Sequence, residues 1–248
     1  MRHVLHILLL AIIAAIVFPH GTCAQERAQP SRAEEVWTSF AFSGRPPKFF
    51  NDIIGKGTRK RFGLGGEIGY RTADVFFAGR QIYFDGEIGY DLTDIIEIGV
   101  EHRYAYRPDN SDRQRSQLKF QIGDRIARFD LSWRSIFQHS WHEYGLERDN
   151  SRNRFSIEYD IPKWKLDPEF RVEFFTTWLP EGLDYIGTRY QLGTEWSPWS
   201  GHGLSVAVIH DRERNVARPD HRWIISFEYS INIRKIRSAW EKAREPSE

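Results

Sequence analysis

The stretch DIIEIGVEHRYAYR, residues 94–107, decides the fold of this chain, because its side chains alternate between two kinds with a period of two. One face carries mostly apolar side chains, which are Ile96, Ile98, Val100, His102, Tyr104 and Tyr106. The other face carries small and charged side chains, which are Glu97, Gly99, Glu101, Arg103, Ala105 and Arg107. Successive side chains of a β-strand point to opposite faces, so this pattern predicts a strand with one apolar and one charged face.

Ten further segments along the chain show the same alternation. They lie at about residues 35–42, 62–71, 80–91, 113–123, 125–140, 150–160, 164–178, 183–196, 202–212 and 220–233. Most segments have about 10 to 15 residues, which is longer than the roughly five or six residues of strands in globular proteins. A tilted membrane strand has about 9 to 11 residues. The lengths therefore favour strands that cross a membrane.

The connections between these segments also alternate, in length. Short ones such as DLTD, GDR and IPKWK take turns with longer polar ones such as RPDNSDRQR, HEYGLERDNSRN and DRERNVARPD. Short periplasmic turns and long external loops are typical of outer-membrane barrels, as are aromatic residues near the strand ends. Such aromatic residues are Tyr104, Tyr106, Trp141, Trp164, Trp178, Trp196 and Trp223. The sequence predicts an all-β fold, an antiparallel up-and-down transmembrane β-barrel of about 10–12 strands, with a short C-terminal helical tail.

The count of eleven segments conflicts with the even strand numbers of bacterial single-chain barrels. We therefore expect either that one assignment is wrong or that the first segment, residues 35–42, lies outside the barrel wall. The residues that follow it, SGRPPKFFNDIIGKGTRK at 43–60, are rich in Pro, Gly and Lys and are interpreted as a loop at one barrel mouth.

The pentapeptide GEIGY occurs twice, at residues 66–70 and 86–90. In a barrel, the glutamate of each copy points into the lumen, whereas the isoleucine and tyrosine face lipid. The glycines have no side chain and therefore leave space where the small interior is crowded. The two copies are interpreted as two similar strands and not as a ligand motif.

The N-terminus, MRHVLHILLLAIIAAIVFPHGTCAQ, has the pattern of a secretory signal peptide, with an apolar run from Val4 to Phe18 and small residues before the cleavage site. A membrane-spanning helix needs roughly 20 residues, so cleavage after Ala24 is favoured over a membrane anchor. Cys23, the only cysteine, is then removed, which excludes disulfides and cysteine-ligated zinc. The predicted organisation is a signal peptide at 1–24, an outer-membrane β-barrel at 25–233 and a periplasmic C-terminal tail at 234–248.

The charge composition excludes one class of partner. The 35 basic and 34 acidic residues nearly cancel, so the chain has no net field that would attract nucleic acid. Charged residues make up 28% and aromatic residues 15% of the chain, and such high fractions of both require the two kinds to be separated in space.

The predicted inward face carries charges of both signs. The charges expected to form a lumen network are Glu67, Arg71, Glu87, Glu97, Glu101, Arg103, Arg134, Glu158, Arg171, Glu173, Arg189 and Glu228. A barrel of about ten strands has a narrow interior. We therefore expect Arg71, Arg103, Arg134 and Arg171 to neutralise Glu67, Glu101, Glu158 and Glu173 across it. A small polar channel, or a ligand pocket at the external mouth, is the alternative.

The best candidate for catalysis is FQHSWHEYGLE, residues 137–147, in which a serine and a histidine resemble a hydrolase pair. Outer-membrane lipid-modifying hydrolases hold this pair on the lipid-facing side. Here the alternation directs Ser140 and His142 inward and His139 outward, so that no pair forms. No catalytic residue, cofactor or metal ligand is expected, and the chain is predicted not to be an enzyme.

Six stretches together resemble an uncharacterised family of bacterial outer-membrane β-barrels, domain-of-unknown-function family 2490. They are VWTSFAF, GEIGYR, YDLTDIIEIGVEHRYAYR, RFDLSWRSIFQHS, DPEFRVEFF and GTRYQLGTEW. The resemblance implies a barrel in the outer membrane of a Gram-negative bacterium and brings no activity or ligand. The expected role is structural or weakly permeable, with small-solute channel and lipid-modifying hydrolase as alternatives. The expected partners are outer-membrane lipid, lipopolysaccharide and the barrel-assembly machinery.

Overall fold

The computed structural model describes residues 30–236, except residues 74, 109–111, 143–146 and 181. The predicted signal peptide, its cleavage site at Ala24 and most of the predicted tail lie outside the described residues. Residues 233–236 are helical, which agrees with the short helical tail expected after the last strand.

Eleven strands form the wall, and each corresponds to one segment of alternating sequence. The strands are β1 (Ser31–Gly44), β2 (Phe62–Ala73), β3 (Val75–Asp91), β4 (Ile96–Tyr106), β5 (Arg113–Ile126), β6 (Phe129–His142), β7 (Arg148–Tyr159), β8 (Asp167–Leu179), β9 (Gly182–Trp196), β10 (His202–Glu213) and β11 (Asp220–Asn232). Each strand pairs with its neighbours in sequence, and the sheet closes into a barrel. The predicted fold class is confirmed.

The first strand closes the barrel, contrary to the suspicion that residues 35–42 lie outside the wall. β1 pairs antiparallel with β2 and parallel with β11, in a register that places Thr38 opposite Phe227. In an up-and-down barrel with an odd number of strands, the first and last strands run in the same direction. The closing pair is then necessarily parallel. The expectation of an even number was wrong for this chain, and all eleven segments belong to the wall.

The two faces of the wall differ sharply in chemistry. Large apolar side chains on the outer face are exposed, for example Leu192 (61%) and Val208 (49%). The inner face buries polar side chains such as Glu173, which is 2% exposed. Soluble proteins have the opposite arrangement, with apolar side chains inside and charged ones outside.

The two ends of the barrel are here called the N-terminal rim, where β1 begins, and the C-terminal rim, where β11 ends. The connection at residues 45–61 lies at the C-terminal rim and contains three helical turns, Lys48–Phe50, Asn51–Ile54 and Lys56–Arg59, where the sequence indicated only a loop. This longest connection shares its rim with the short turns at 92–95 and 127–128, so long and short connections are not cleanly separated. No helix within the described residues is long and apolar enough to cross a membrane.

The two GEIGY copies lie side by side in β2 and β3, with Gly66 opposite Gly86. The Tyr83 side chain occupies the space beside Gly69, where any Cβ would collide with its ring. Glycine at position 69 thus allows the large aromatic side chain into the crowded lumen.

Candidate functional site

The candidate functional site is the barrel lumen, which contains a cavity of about 630 Å³. Every one of the eleven strands contributes to its lining, from Trp37 on β1 to Arg222 on β11. Most lining residues are charged or polar, and arginine is the most frequent among them.

Ion pairs connect the strands on one side of the lumen. Arg80 of β3 contacts Glu35 of β1 at 2.5 Å, and Arg222 of β11 lies 3.9 Å from the same carboxylate. Arg222 also contacts Asp211 of β10 at 3.0 Å. Asp211 in turn contacts Arg189 of β9 at 2.7 Å, so that carboxylates and guanidinium groups alternate around the wall.

Glu173 of β8 continues this chain of ion pairs. Its carboxylate lies 2.9 Å from Arg152, 3.5 Å from Arg154 and 3.7 Å from Arg189, and its side chain is almost fully buried. Three guanidinium groups therefore compensate the charge of one buried carboxylate, which removes the penalty of leaving it unpaired away from water.

Hydrogen bonds and ion pairs carry the chain of contacts back to β3. Arg152 donates to Gln117 of β5 at 3.4 Å, and Gln117 donates to Glu101 of β4. Lys119 lies 3.7 Å from Glu101 and pairs with Glu87 of β3. We call this circuit, which starts at Arg80 and ends at Glu87, the lumen belt. Its contacts join strands that are neighbours or next neighbours in the wall.

A second group of contacts surrounds Tyr83. The phenol donates to Glu67 at 2.5 Å, and the guanidinium of Arg103 lies 3.9 Å above its ring. Arg103 also pairs with Asp85, the register partner of Glu67. Arg71 lies 3.8 Å above the ring of Trp37 in a cation–π contact.

Charge is unevenly distributed along the barrel axis. On five strands, an inward arginine lies nearer the N-terminal rim and an inward glutamate nearer the C-terminal rim. These pairs are Arg71 and Glu67, Arg103 and Glu97, Arg152 and Glu158, Arg189 and Glu195, and Arg222 and Glu228. A second cavity, of about 470 Å³ at the C-terminal rim, is lined by acidic residues that include Glu87, Asp91 and Glu97. The lumen is thus basic towards one rim and acidic towards the other.

The structure brings together only part of the network predicted from sequence. Of the four arginines and four glutamates expected to neutralise one another, only Arg103 and Glu67 form an ion pair among the described residues, at 3.9 Å. Arg171 instead contacts Glu169 at 2.5 Å, and Arg134 donates to Gln121 at 2.7 Å.

The other predicted network residues fall into two groups. Glu87, Glu101, Glu173 and Arg189 belong to the lumen belt. Glu97, Glu158 and Glu228 form no ion pair with any described residue, and neither does Arg71.

Several belt residues were missed by the sequence prediction. The sequence does not predict Glu35 as a lumen residue, because it leaves open whether residues 35–42 join the wall, although Glu35, Trp37 and Ser39 alternate there with more exposed residues. Asp211 and Arg222 lie near strand ends, where the alternation is hard to separate from loop sequence. The alternation with a period of two, when it is extended to the strand ends, places both residues on the inward face.

The hydrolase candidate is divided between the two faces of β6. Ser140 lies inside with 0% exposure, and its hydroxyl accepts hydrogen bonds from Gln138 at 3.0 Å and Arg113 at 3.2 Å. His139 lies on the outer face and contacts Asp149 at 2.6 Å. The side chain of His142 and residue Glu143 lie outside the described part. Within that part, no group of three or more possible metal ligands occurs.

An apolar outer wall, a closed eleven-stranded sheet and an ionised lumen define the chain as a β-barrel whose interior is polar. A family model described as a protein of unknown function, DUF2490, matches residues 34–222, from β1 into β11. The chain belongs to this family, and the resemblance inferred from its sequence is confirmed. No curated protein matches the chain, and no solved structure does.

Proposed function

We propose that the chain is an integral outer-membrane β-barrel protein with a structural or weakly permeable role and a lumen filled with charged side chains. The observation that carries this proposal is the reversed polarity of the wall. Apolar side chains such as Ile98, Phe170 and Val206 remain exposed on the outer face. An apolar surface that surrounds a whole barrel is stable only against lipid or detergent.

The positions of aromatic residues support the same proposal. Exposed tryptophans lie near the N-terminal rim at Trp141, Trp178 and Trp223, and near the C-terminal rim at Trp164 and Trp196. Outer-membrane barrels carry such girdles at both membrane interfaces, where the amphipathic ring meets the lipid headgroups.

A test combines electrophoresis with circular dichroism. The protein purified in detergent should give an almost entirely β spectrum and should migrate differently on a gel when it is not boiled. A monomer that stays soluble without detergent and gives the same spectrum would overturn the membrane assignment.

The location and the partners follow from the proposed class. We propose the outer membrane of a Gram-negative bacterium, with contacts to outer-membrane lipid and lipopolysaccharide and insertion by the barrel-assembly machinery. The signal peptide predicted at residues 1–24 supports export, and amino-terminal sequencing of the mature protein tests cleavage after Ala24.

A small-solute channel is the second candidate, and the central cavity favours it. The cavity of about 630 Å³ is bounded by all eleven strands. A water-filled path that continues through the lumen from one rim to the other would permit solute passage. Conductance of the reconstituted barrel distinguishes this candidate from a structural role.

We propose in addition that the chain is not an enzyme. The hydroxyl of Ser140 is occupied by Gln138 and Arg113, and the nearest sequence histidine, His139, lies on the other face of the strand. The variant Ser140→Ala should leave the acylation of lipid A in the outer membrane unchanged. A change in acylation would revive the hydrolase candidate.

A further inference from the structure

Several arginines at the N-terminal rim form no ion pair among the described residues, and three of them lie on one side of the rim, where β4 ends and where β5 and β7 begin. Arg107 follows β4, Arg113 begins β5 and Arg148 begins β7. None of the three forms an ion pair with a described residue, and we call them the rim arginines. Among the described residues, the Arg113 side chain makes one hydrogen bond, to Ser140 at 3.2 Å, and the Arg148 side chain makes one, to Thr177 at 3.5 Å.

The rim arginines are close enough to repel one another electrostatically. The positive charges of Arg107, Arg148, Arg80 and Arg103 all act on Arg113. Arg113 and Arg148 both line the central cavity, and the Ser140 hydroxyl between their strands contacts Arg113. In the register of the sheet, Arg148 is the direct partner of Ser140. Arg113 thus contacts the Ser140 hydroxyl from β5, whereas Arg148, beside Ser140 on β7, directs its guanidinium to Thr177 of β8, and both arginines reach the wall of the cavity.

This arrangement contrasts with the lumen belt. The arginines of the lumen belt, Arg152, Arg189 and Arg222, each contact at least one carboxylate. Within the described residues, carboxylates thus compensate the belt arginines and do not compensate the rim arginines. Unpaired guanidinium groups that converge on a cavity are suited to planar oxyanions, since their N–H groups match phosphate and carboxylate oxygens.

We propose that the rim arginines form a binding site for a small multivalent anion that carries phosphate or carboxylate groups. The site lies at the N-terminal mouth of the lumen, with Arg113 and Arg148 as the principal ligands. This inference rests on the proposed function, because a lumen that opens at a membrane surface is what exposes these arginines to solutes.

Calorimetric titration of the detergent-solubilised barrel tests the site, with pyrophosphate in one arm and citrate in the other. We expect at least one probe to bind the unmodified protein and binding to weaken at least tenfold in the double variant Arg113→Gln/Arg148→Gln. Stronger binding of pyrophosphate would assign the site to phosphates, and stronger binding of citrate would assign it to carboxylates. The control is Arg125→Gln, an exposed arginine at the C-terminal rim that pairs with Asp160, and it should bind as the unmodified protein does.

Two further measurements keep the outcome unambiguous. The unboiled gel band shows that each variant is folded, and it tests the membrane barrel independently of the anion site. If the double variant does not fold, the unmodified protein suffices, because a bound anion raises the temperature at which the folded band is lost. Absence of binding by both probes, or equal binding by the unmodified protein and the double variant, would refute the anion site. The membrane barrel stands in that case as long as the folded band is observed.

Discussion

The ring of Tyr83 is buried against Gly69, between the guanidinium groups of Arg71 and Arg103. We expect Gly69→Ala to destabilise the barrel by about 1–3 kcal/mol, because the added methyl group displaces the ring and disturbs its contacts. Urea unfolding in detergent measures this difference in the free energy of unfolding.

Gly86→Ala is the matched control for this substitution. A Cβ at Gly86 would have nothing within 4 Å, so the change should be tolerated to within about 0.5 kcal/mol. Equal losses in the two variants would mean that glycine matters here for the backbone and not for the space that Tyr83 occupies.

The carboxylate of Glu173 compensates three arginines, so its removal is expected to be costly. Glu173→Gln keeps the shape of the side chain but leaves Arg152, Arg154 and Arg189 without this counter-charge. Breaking a buried ion pair typically costs about 3–5 kcal/mol, and unfolding in detergent should show a loss of this order. The exposed pair Arg125–Asp160 supplies the control, since Asp160→Asn should cost about 0–1 kcal/mol. Similar losses at both sites would argue against a structural lumen belt.

Single residues also show what the sequence can and cannot predict. The period of two places Glu101 and Arg103 in the lumen, as the structure has them. It does not predict the orientation of Arg80. The alternation along β3 places Arg80 on the outer face, but its guanidinium contacts Glu35. The register of β2 and β3 shifts between Arg71 and Ala73, and such a shift redirects the neighbouring side chains. The partner of each charge depends on register and rotamer, which alternation does not encode.

At the scale of elements, the parallel closure by β1 is the feature that the sequence left undecided. Alternation identifies a strand but does not say which strand lies beside it. The doubt about residues 35–42 came from the rule of even strand numbers and not from the residues themselves. The remaining pairings were predictable, because consecutive strands in an up-and-down barrel are neighbours.

Cross-linking tests the closure of the barrel. Cysteines at Thr38 and Phe227 occupy partner positions of β1 and β11. Neighbouring strands lie about 4.8 Å apart, which suits a disulfide, so mild oxidation of Thr38→Cys/Phe227→Cys should link them. The pair Thr38→Cys/Val206→Cys, with the second cysteine one strand further away, should remain reduced. Failure of the first pair to react, with the protein folded, would place β1 outside the wall.

The two faces of one strand should respond oppositely to an added charge. Val206 lies on the outer face near the middle of β10, and Val206→Arg should cost roughly 2–4 kcal/mol at a bilayer midplane. Ser205 faces the lumen, where its register partners are Glu195 and Glu228, so Ser205→Arg gains acidic neighbours and should cost far less. Urea titrations of both variants refolded into liposomes measure the two costs. Equal costs would show that the outer face does not contact lipid.

At the scale of the whole molecule, the barrel combines a nearly neutral composition with a lumen that is polarised along its axis. The net charge does not reveal this polarisation, because the 35 basic and 34 acidic residues cancel when their positions are ignored. The order of charges within each strand did contain the information, as in Arg103 and Glu97 on β4. This order can be converted into a position along the barrel axis only when the direction of each strand is known. Because alternate strands run in opposite directions, the arginines of β2, β4, β7, β9 and β11 lie near the same rim.

The permeability of the barrel follows from its size and from the lumen belt. Barrels of about eight strands are filled by side chains, whereas those of 16–18 strands hold an aqueous channel. Eleven strands leave a lumen into which long arginine and glutamate side chains project, held by ion pairs such as Glu173 with Arg152. We therefore expect little steady conductance when the protein is reconstituted in planar bilayers. Flotation of the same protein with liposomes serves as the control, because it shows that a silent bilayer reflects a closed barrel and not a failure to insert. Large, steady single-channel currents from the unmodified protein would mean that the belt leaves a continuous water-filled path, and the small-solute channel would then replace the structural role.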